Sequence, residues 1–154
     1  MLGVIEMDNK SMLKSNLMIV FSDLEKAIEQ YFSSGYSIGE TKYIDAYLAA
    51  TIHALMDYAD AYLSKDDEKI QACRYANNTL KHNSLLKTHR TITGGLTFPF
   101  CFPMRIEKLE IVWNYDCNVE TRYKSQQRAF ETHFAGKPIL ETLRPILQQI
   151  KENE

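Results

Sequence analysis

Apolar residues return every three or four positions through the first half of the chain, the spacing of one face of an α-helix. Leu13, Leu17, Val20, Phe21, Leu24, Ile28, Tyr31 and Phe32 form such a stripe, with Lys10, Lys14, Glu25, Lys26 and Glu29 mostly away from it. The pattern predicts a first helix from about Asp8 to Ser33, ended by Ser33-Ser34-Gly35. Ile44, Tyr47, Leu48, Thr51, Leu55, Tyr58, Tyr62 and Leu63 keep the period and predict a second helix from about Glu40 to Ser64. Lys65-Asp66-Asp67 reads as a polar turn, and either aspartate can cap the next helix through its carboxylate. That third helix is expected over roughly Asp67 to Thr88.

The pattern changes after Arg90. Gly94-Gly95 is a turn signal. Thr97 to Phe102 and Leu109 to Trp113 are rich in the aromatic and branched residues of strands. Pro99 and Pro103 cannot donate to a sheet ladder, which suits an edge strand or an extended arm. A two-stranded hairpin is marginal alone, so it must lean on the helices. Phe98, Phe100 and Phe102 alternate and predict one apolar row, either a plug for the bundle or a dimer contact.

The helical period then resumes. Tyr123, Phe130 and Phe134 mark a helix from about Glu120 to Ala135, and Gly136-Lys137-Pro138 interrupts it. Pro138 suits the first turn of a new helix. Ile139, Leu140, Leu143, Ile146, Leu147 and Ile150 form the clearest amphipathic stripe, with Pro145 expected to bend it. No internal repeat or domain boundary stands out. The chain therefore reads as one mainly α domain over residues 1–154, an up-and-down bundle of four to five helices. A short β-hairpin or extended β arm, at about residues 91–114, falls between helices 3 and 4.

Composition narrows the classes. At 154 residues the chain can bury a core without staples, and its hydrophobic share of 45% is that of a globular protein. A net charge of −2 gives no bulk attraction to nucleic acid or to an anionic membrane surface. Three cysteines without paired spacing argue for reduced thiols and against a thiolate zinc site. No basic leader and no membrane-length apolar run are present, so a cytoplasmic location without membrane contact is expected. No phosphate-binding glycine loop, nucleophile elbow or paired-histidine zinc helix occurs, and neither a cofactor nor a metal is expected.

The third helix carries the unusual string Cys73-Arg74-Tyr75-Ala76-Asn77-Asn78-Thr79-Leu80-Lys81-His82-Asn83. Asparagine disfavours helix interiors because its amide competes for backbone partners. Arg74, Asn78 and His82 are spaced i, i+4, i+8 and share one predicted face, with His89 near it two turns on. Arg74, Asn78 and His82 are the catalytic candidates. Asn77, Lys81, Asn83 and His89 are the binding candidates. A guanidinium, an amide and an imidazole in one groove can bind a phosphate or assist cleavage beside it. The plainer alternative is that the asparagines bond neighbouring loops and His82 lies on the surface. His53, Asp57 and Asp60 form a further polar group on the second helix, short of ligands for a metal.

Two resemblances attach to these residues. Asn77 to Asn83, Gly94 to Pro103 and Trp113 resemble a set of uncharacterised bacterial and phage-borne proteins. Those share an N-N-x-L-K-H-N helix, a G-G-x-x-F-P-x-x-F-P stretch and a downstream tryptophan, and no activity comes with that resemblance. The same helix resembles the HEPN superfamily of helical bundles, many of them dimeric, metal-independent ribonucleases of bacterial defence. Their motif is an arginine, a polar residue, and a histidine after four to six intervening residues. Asn78 and His82 match the last two positions, Asn77 stands where the arginine belongs, and Arg74 lies one turn earlier. Arg128 and His133 give a second match, with the correct spacing but no polar residue after the arginine.

The HEPN resemblance implies RNA as substrate, acid–base help from His82 or His133, charge stabilisation by arginine, and a homodimer. Two classes stay open: a HEPN-like ribonuclease, intact or degenerate, in defence or stress response, and a non-catalytic module whose polar third helix holds a protein partner or small anion.

Overall fold

A computed structural model of the chain describes residues 2–33, 41–80, 86–97, 103–114 and 123–153. Side chains are described at 9–31, 42–80, 111–114 and 123–153. The elements run α1 (Leu2–Ser33), α2 (Thr41–Tyr62), α3 (Glu68–Leu80), β1 (Leu86–Thr97), β2 (Pro103–Trp113), α4 (Lys124–His133) and α5 (Ile139–Glu152). The protein is mainly helical, with the β excursion between the third and fourth helices as its pattern predicts.

The stripes become the core. Leu17, Phe21, Leu24, Ile28 and Tyr31 of α1 are buried against Ile44, Leu48, Ile52 and Leu55 of α2 and Ile139, Leu143, Ile146, Leu147 and Ile150 of α5. Consecutive helices α1, α2, α3 and α4 pack side by side, and α5 returns to lie against α1. Thr51 is fully buried within the α2 stripe because its hydroxyl donates to the Tyr47 carbonyl one turn back. Tyr47 and Tyr62, expected in the same stripe, instead sit exposed at its edge. Of the two candidate caps, Asp67 takes the role, its Oδ1 accepting from the backbone N–H of Lys69 and Ile70. In α5 the helix continues through Pro145, and Pro138 precedes its first turn.

The third helix is shorter than its pattern suggested. Its described part is Glu68–Leu80, and Leu86–Thr88 is strand, not helix. Asn77-Asn78-Thr79 are poor helix formers, while Thr88, Thr91, Ile92 and Thr93 favour a strand. His89 consequently lies in β1 opposite Glu110, not on a continuation of α3. Gly94-Gly95 is not the turn: Thr93 pairs with Ile106 and Leu96 with Met104, so two glycines oppose one residue in a β-bulge. The first strand is Leu86–Thr97, so of the strand expected over 97–102 only Thr97 is among the described residues. Phe98, Phe100 and Phe102 lie outside the described residues.

The base of the hairpin is fastened to the helices. The Trp113 N–H donates to the Lys137 carbonyl at 3.0 Å, and the Gly136 N–H donates to the Trp113 carbonyl at 2.8 Å. Gly136 has φ 75°, a left-handed conformation that glycine adopts without a Cβ clash. Trp113 is fully buried, stacked on Phe134 with centroids 5.2 Å apart and edge-on to Phe130 at 5.7 Å. Tyr75 of α3 meets Phe130 at 4.9 Å, which ties the third helix into the same aromatic cluster.

Candidate functional site

Helix α3 divides into two faces. Ile70, Ala72, Cys73, Tyr75, Ala76 and Thr79 are buried. Arg74 and Asn78, one turn apart, project from the opposite side, with Asn78 exposed and Arg74 half-buried. The i, i+4 relation read from sequence therefore holds for these two. Asn77 is half-buried at the edge of the face. His82, Lys81 and Asn83 lie outside the described residues. His89 is removed from the face by the strand that holds it.

The guanidinium of Arg74 is engaged. Its Nη2 donates to Asp60 Oδ1 of α2 at 2.6 Å, a charge-assisted contact across the α2–α3 packing. Asp60, weighed in the sequence as part of a histidine–carboxylate group, is instead the partner of Arg74. The rest of that group, His53 and Asp57, is a pair on the exposed side of α2, 3.7 Å apart. Among the described residues, no three histidine, cysteine or acidic side chains come together as a metal centre.

The second pair separates. Arg128 and His133 are five residues apart on α4, about 140° around the helix, and do not share a face. Arg128 is exposed, whereas His133 Nε2 lies 2.7 Å from Glu68 Oε2 in the first turn of α3. This contact joins the end of α4 to the start of α3. His133 lines an open recess of about 360 Å³ together with Lys69, Lys137, Glu141 and Thr142. Lys137 Nζ there donates to the Thr132 carbonyl at 3.1 Å. Neither Glu68 nor the two lysines were singled out in the sequence. Glu68 and His133 are 65 positions apart, and no local pattern links them.

Other recesses open between α1 and α2, lined by Asp23, Lys26, Gln30, Tyr43 and Tyr47, and between α1 and α5, bordered by the Arg144–Glu25 ion pair. Arg74 and Asn78 line none of these recesses. Cys73 is fully buried behind the polar face, and burial pushes its thiol far above the ordinary range. A thiol held protonated in this way is a core group, not a nucleophile. No helix among the described residues is long and apolar enough to cross a membrane. Comparison with protein-family models, curated proteins and solved structures finds no match to this chain.

Proposed function

We propose that the chain is a non-catalytic interaction module that uses the polar face of α3 to hold a protein partner. The observation that carries this reading is the 2.6 Å pairing of Arg74 with Asp60. An arginine that stabilises a cleaving phosphate must present uncompensated positive charge to it. Arg74 faces a carboxylate instead, and the Asn78 amide beside it offers both a donor and an acceptor. Paired donors and acceptors with compensated charge suit polypeptide groups better than a phosphate backbone. The net charge of −2 points the same way.

The HEPN-like ribonuclease is the second reading. It is favoured by the shared exposed face of Arg74 and Asn78, with His82 following in the sequence. The two separate in one assay. Purified protein is incubated with labelled RNA and a chelator, beside the variants His82→Ala and His133→Ala. The module reading expects intact RNA in every reaction. Cleavage by the wild type that either alanine abolishes would establish the ribonuclease and overturn the module. On the module reading, a photo-crosslinking residue at position 78 should yield protein adducts in cells and no RNA adducts.

A further inference from the structure

We infer that the recess between α1 and α2 is a binding site for a free aromatic α-amino acid, independently of what α3 does. Its α1 side presents Asp23, Lys26, Ala27 and Gln30, spaced i, i+3, i+4 and i+7 along one face of the helix. Its α2 side presents Tyr43 and Tyr47, one turn apart. The recess holds about 400 Å³, within the roughly 300–1,000 Å³ of small-molecule sites. Ala27 is buried and small, which leaves open the space that a larger side chain there would fill. The lining carries two charges that do not meet. Arg144 closes on Glu25 and Arg74 on Asp60. Asp23 and Lys26 stand one turn apart, with Asp23 half-buried, yet their side chains make no hydrogen bond or ion pair with each other or with any other described residue. A half-buried carboxylate without a partner has lost hydration and gained nothing in exchange.

A ligand bearing both charges satisfies the two together, its ammonium against Asp23 and its carboxylate against Lys26. The charges of the lining cancel, so neither a bare cation nor a bare anion is complemented. An α-amino acid holds the two groups on one carbon, a span that side chains with Cβ atoms about 5–6 Å apart can bracket. A polypeptide terminus brings only one of them. The tyrosines then select the side chain. Neither ring stacks on another ring among the described residues. Tyr43 is 55% exposed, with the Lys42 ammonium 5.4 Å from its centroid. That ring already has its cation, which disfavours the recess as an aromatic cage for a cationic ligand. Tyr47, 36% exposed, has no such neighbour and offers its ring to another aromatic ring. Offset or edge-on ring pairs add to what area burial alone contributes.

The test is an NMR chemical-shift titration of the whole isotope-labelled chain with L-phenylalanine. Beside it run leucine, which lacks the ring, phenethylamine, which lacks the carboxylate, and hydrocinnamate, which lacks the ammonium. Phenylalanine should bind one-to-one with a Kd of about 1 mM or tighter, moving the amides around Asp23, Lys26 and Tyr47. Each of the other three should bind about tenfold or more weakly. Asp23→Asn should weaken phenylalanine about tenfold and leave hydrocinnamate unchanged. Lys26→Met should weaken phenylalanine likewise and leave phenethylamine unchanged. Tyr47→Ala should remove most of the preference for phenylalanine over leucine. None of the three positions is buried, and circular dichroism confirms that each variant folds. No saturable shift with phenylalanine up to about 10 mM overturns the inference, as does a shift confined to another surface. Phenethylamine or hydrocinnamate binding as tightly as phenylalanine overturns the pairing of a zwitterion with Asp23 and Lys26. Equal loss of every ligand in both charge variants overturns it as well, since each substitution should spare the ligand that lacks the matching charge.

Discussion

Trp113 and Thr142 are joined by a hydrogen bond from the indole Nε1 to the threonine Oγ1, 2.7 Å long, and the same hydroxyl donates to the Ile139 carbonyl at 2.7 Å. The hydroxyl thus accepts from the end of β2 and donates into the first turn of α5. Thr142→Val keeps the shape and removes the acceptor, leaving a fully buried indole N–H without its partner. The expected cost is about 1–3 kcal/mol of folding stability. Urea unfolding followed by tryptophan fluorescence measures it cleanly, since Trp113 is the only tryptophan of the sequence. A midpoint unchanged from wild type would mean that the bond does not fasten the hairpin.

The pairing of Asp60 with Arg74 predicts a gain on removal of the carboxylate. Asp60→Ala frees a guanidinium beside Asn78, and labelled single-stranded RNA should bind the variant more tightly than it binds wild type at low salt. The added affinity should steepen the salt dependence by about one ion. The double variant Asp60→Ala with Arg74→Ala should return to the wild-type level in the same anisotropy titration. Stability should barely move, below about 1 kcal/mol for either single change, because the ion pair is partly exposed. Equal RNA binding by Asp60→Ala and wild type would show that Asp60 does not silence the arginine.

Cys73 gives a pH prediction with a definite sign. Burial raises its thiol pKa in the folded chain, the nearby Asp67 carboxylate adding to the effect. Above the ordinary cysteine range, at about pH 8.5, the unfolded chain loses this proton while the folded chain keeps it. Unfolding then releases a proton, so stability is complete below that range and falls as the pH rises through it. The slope from this one group approaches about 1.4 kcal/mol per pH unit. Cys73→Ala should flatten the decline between about pH 8.5 and 10, read as the difference in urea midpoints against wild type. Identical slopes for the two proteins would remove Cys73 as the cause.

The elements that were legible in the sequence are those whose own residues decide them. The α5 stripe lies on one side of the helix, and all its core positions except the half-buried Leu140 are buried. The Asp67 cap and the Pro138 start are local chemistry, readable within a few residues. The start of β1 at Leu86 was not legible, because Leu86–Thr97 contains little apolar periodicity. Its strand character comes from pairing with a segment that starts at Pro103, through a ladder that a window on the sequence does not contain. Gly94-Gly95 misled for a related reason. Glycine marks turns and bulges alike, and only the opposing strand tells them apart.

The candidate site divides along the same line. That Arg74 and Asn78 share a face follows from helix geometry alone. That Arg74 is neutralised follows from how α2 lies on α3, which brings Asp60 within reach across 14 positions of sequence. The Glu68–His133 contact depends likewise on α4 returning to the start of α3. A charge that looks free in a sequence can be compensated by tertiary packing, and the difference decides what a polar face recognises.

Gly136 carries the last prediction. Its positive φ turns the chain between α4 and α5, so that its N–H reaches the Trp113 carbonyl while the next carbonyl accepts from the Trp113 N–H. Any residue with a Cβ resists this conformation by about 1–2 kcal/mol. Gly136→Ala should therefore lower stability by that amount, and Gly136→Asn by less, since asparagine tolerates the left-handed region better. If the turn relaxed instead of straining, both contacts to Trp113 would lengthen, and hydrogen exchange at its amide would accelerate with little change in the urea midpoint. Measuring midpoint and exchange on the same two variants separates strain in the turn from loss of the β2 anchor. Alanine and asparagine variants that match wild type in both would show that the turn does not depend on the conformational freedom of glycine.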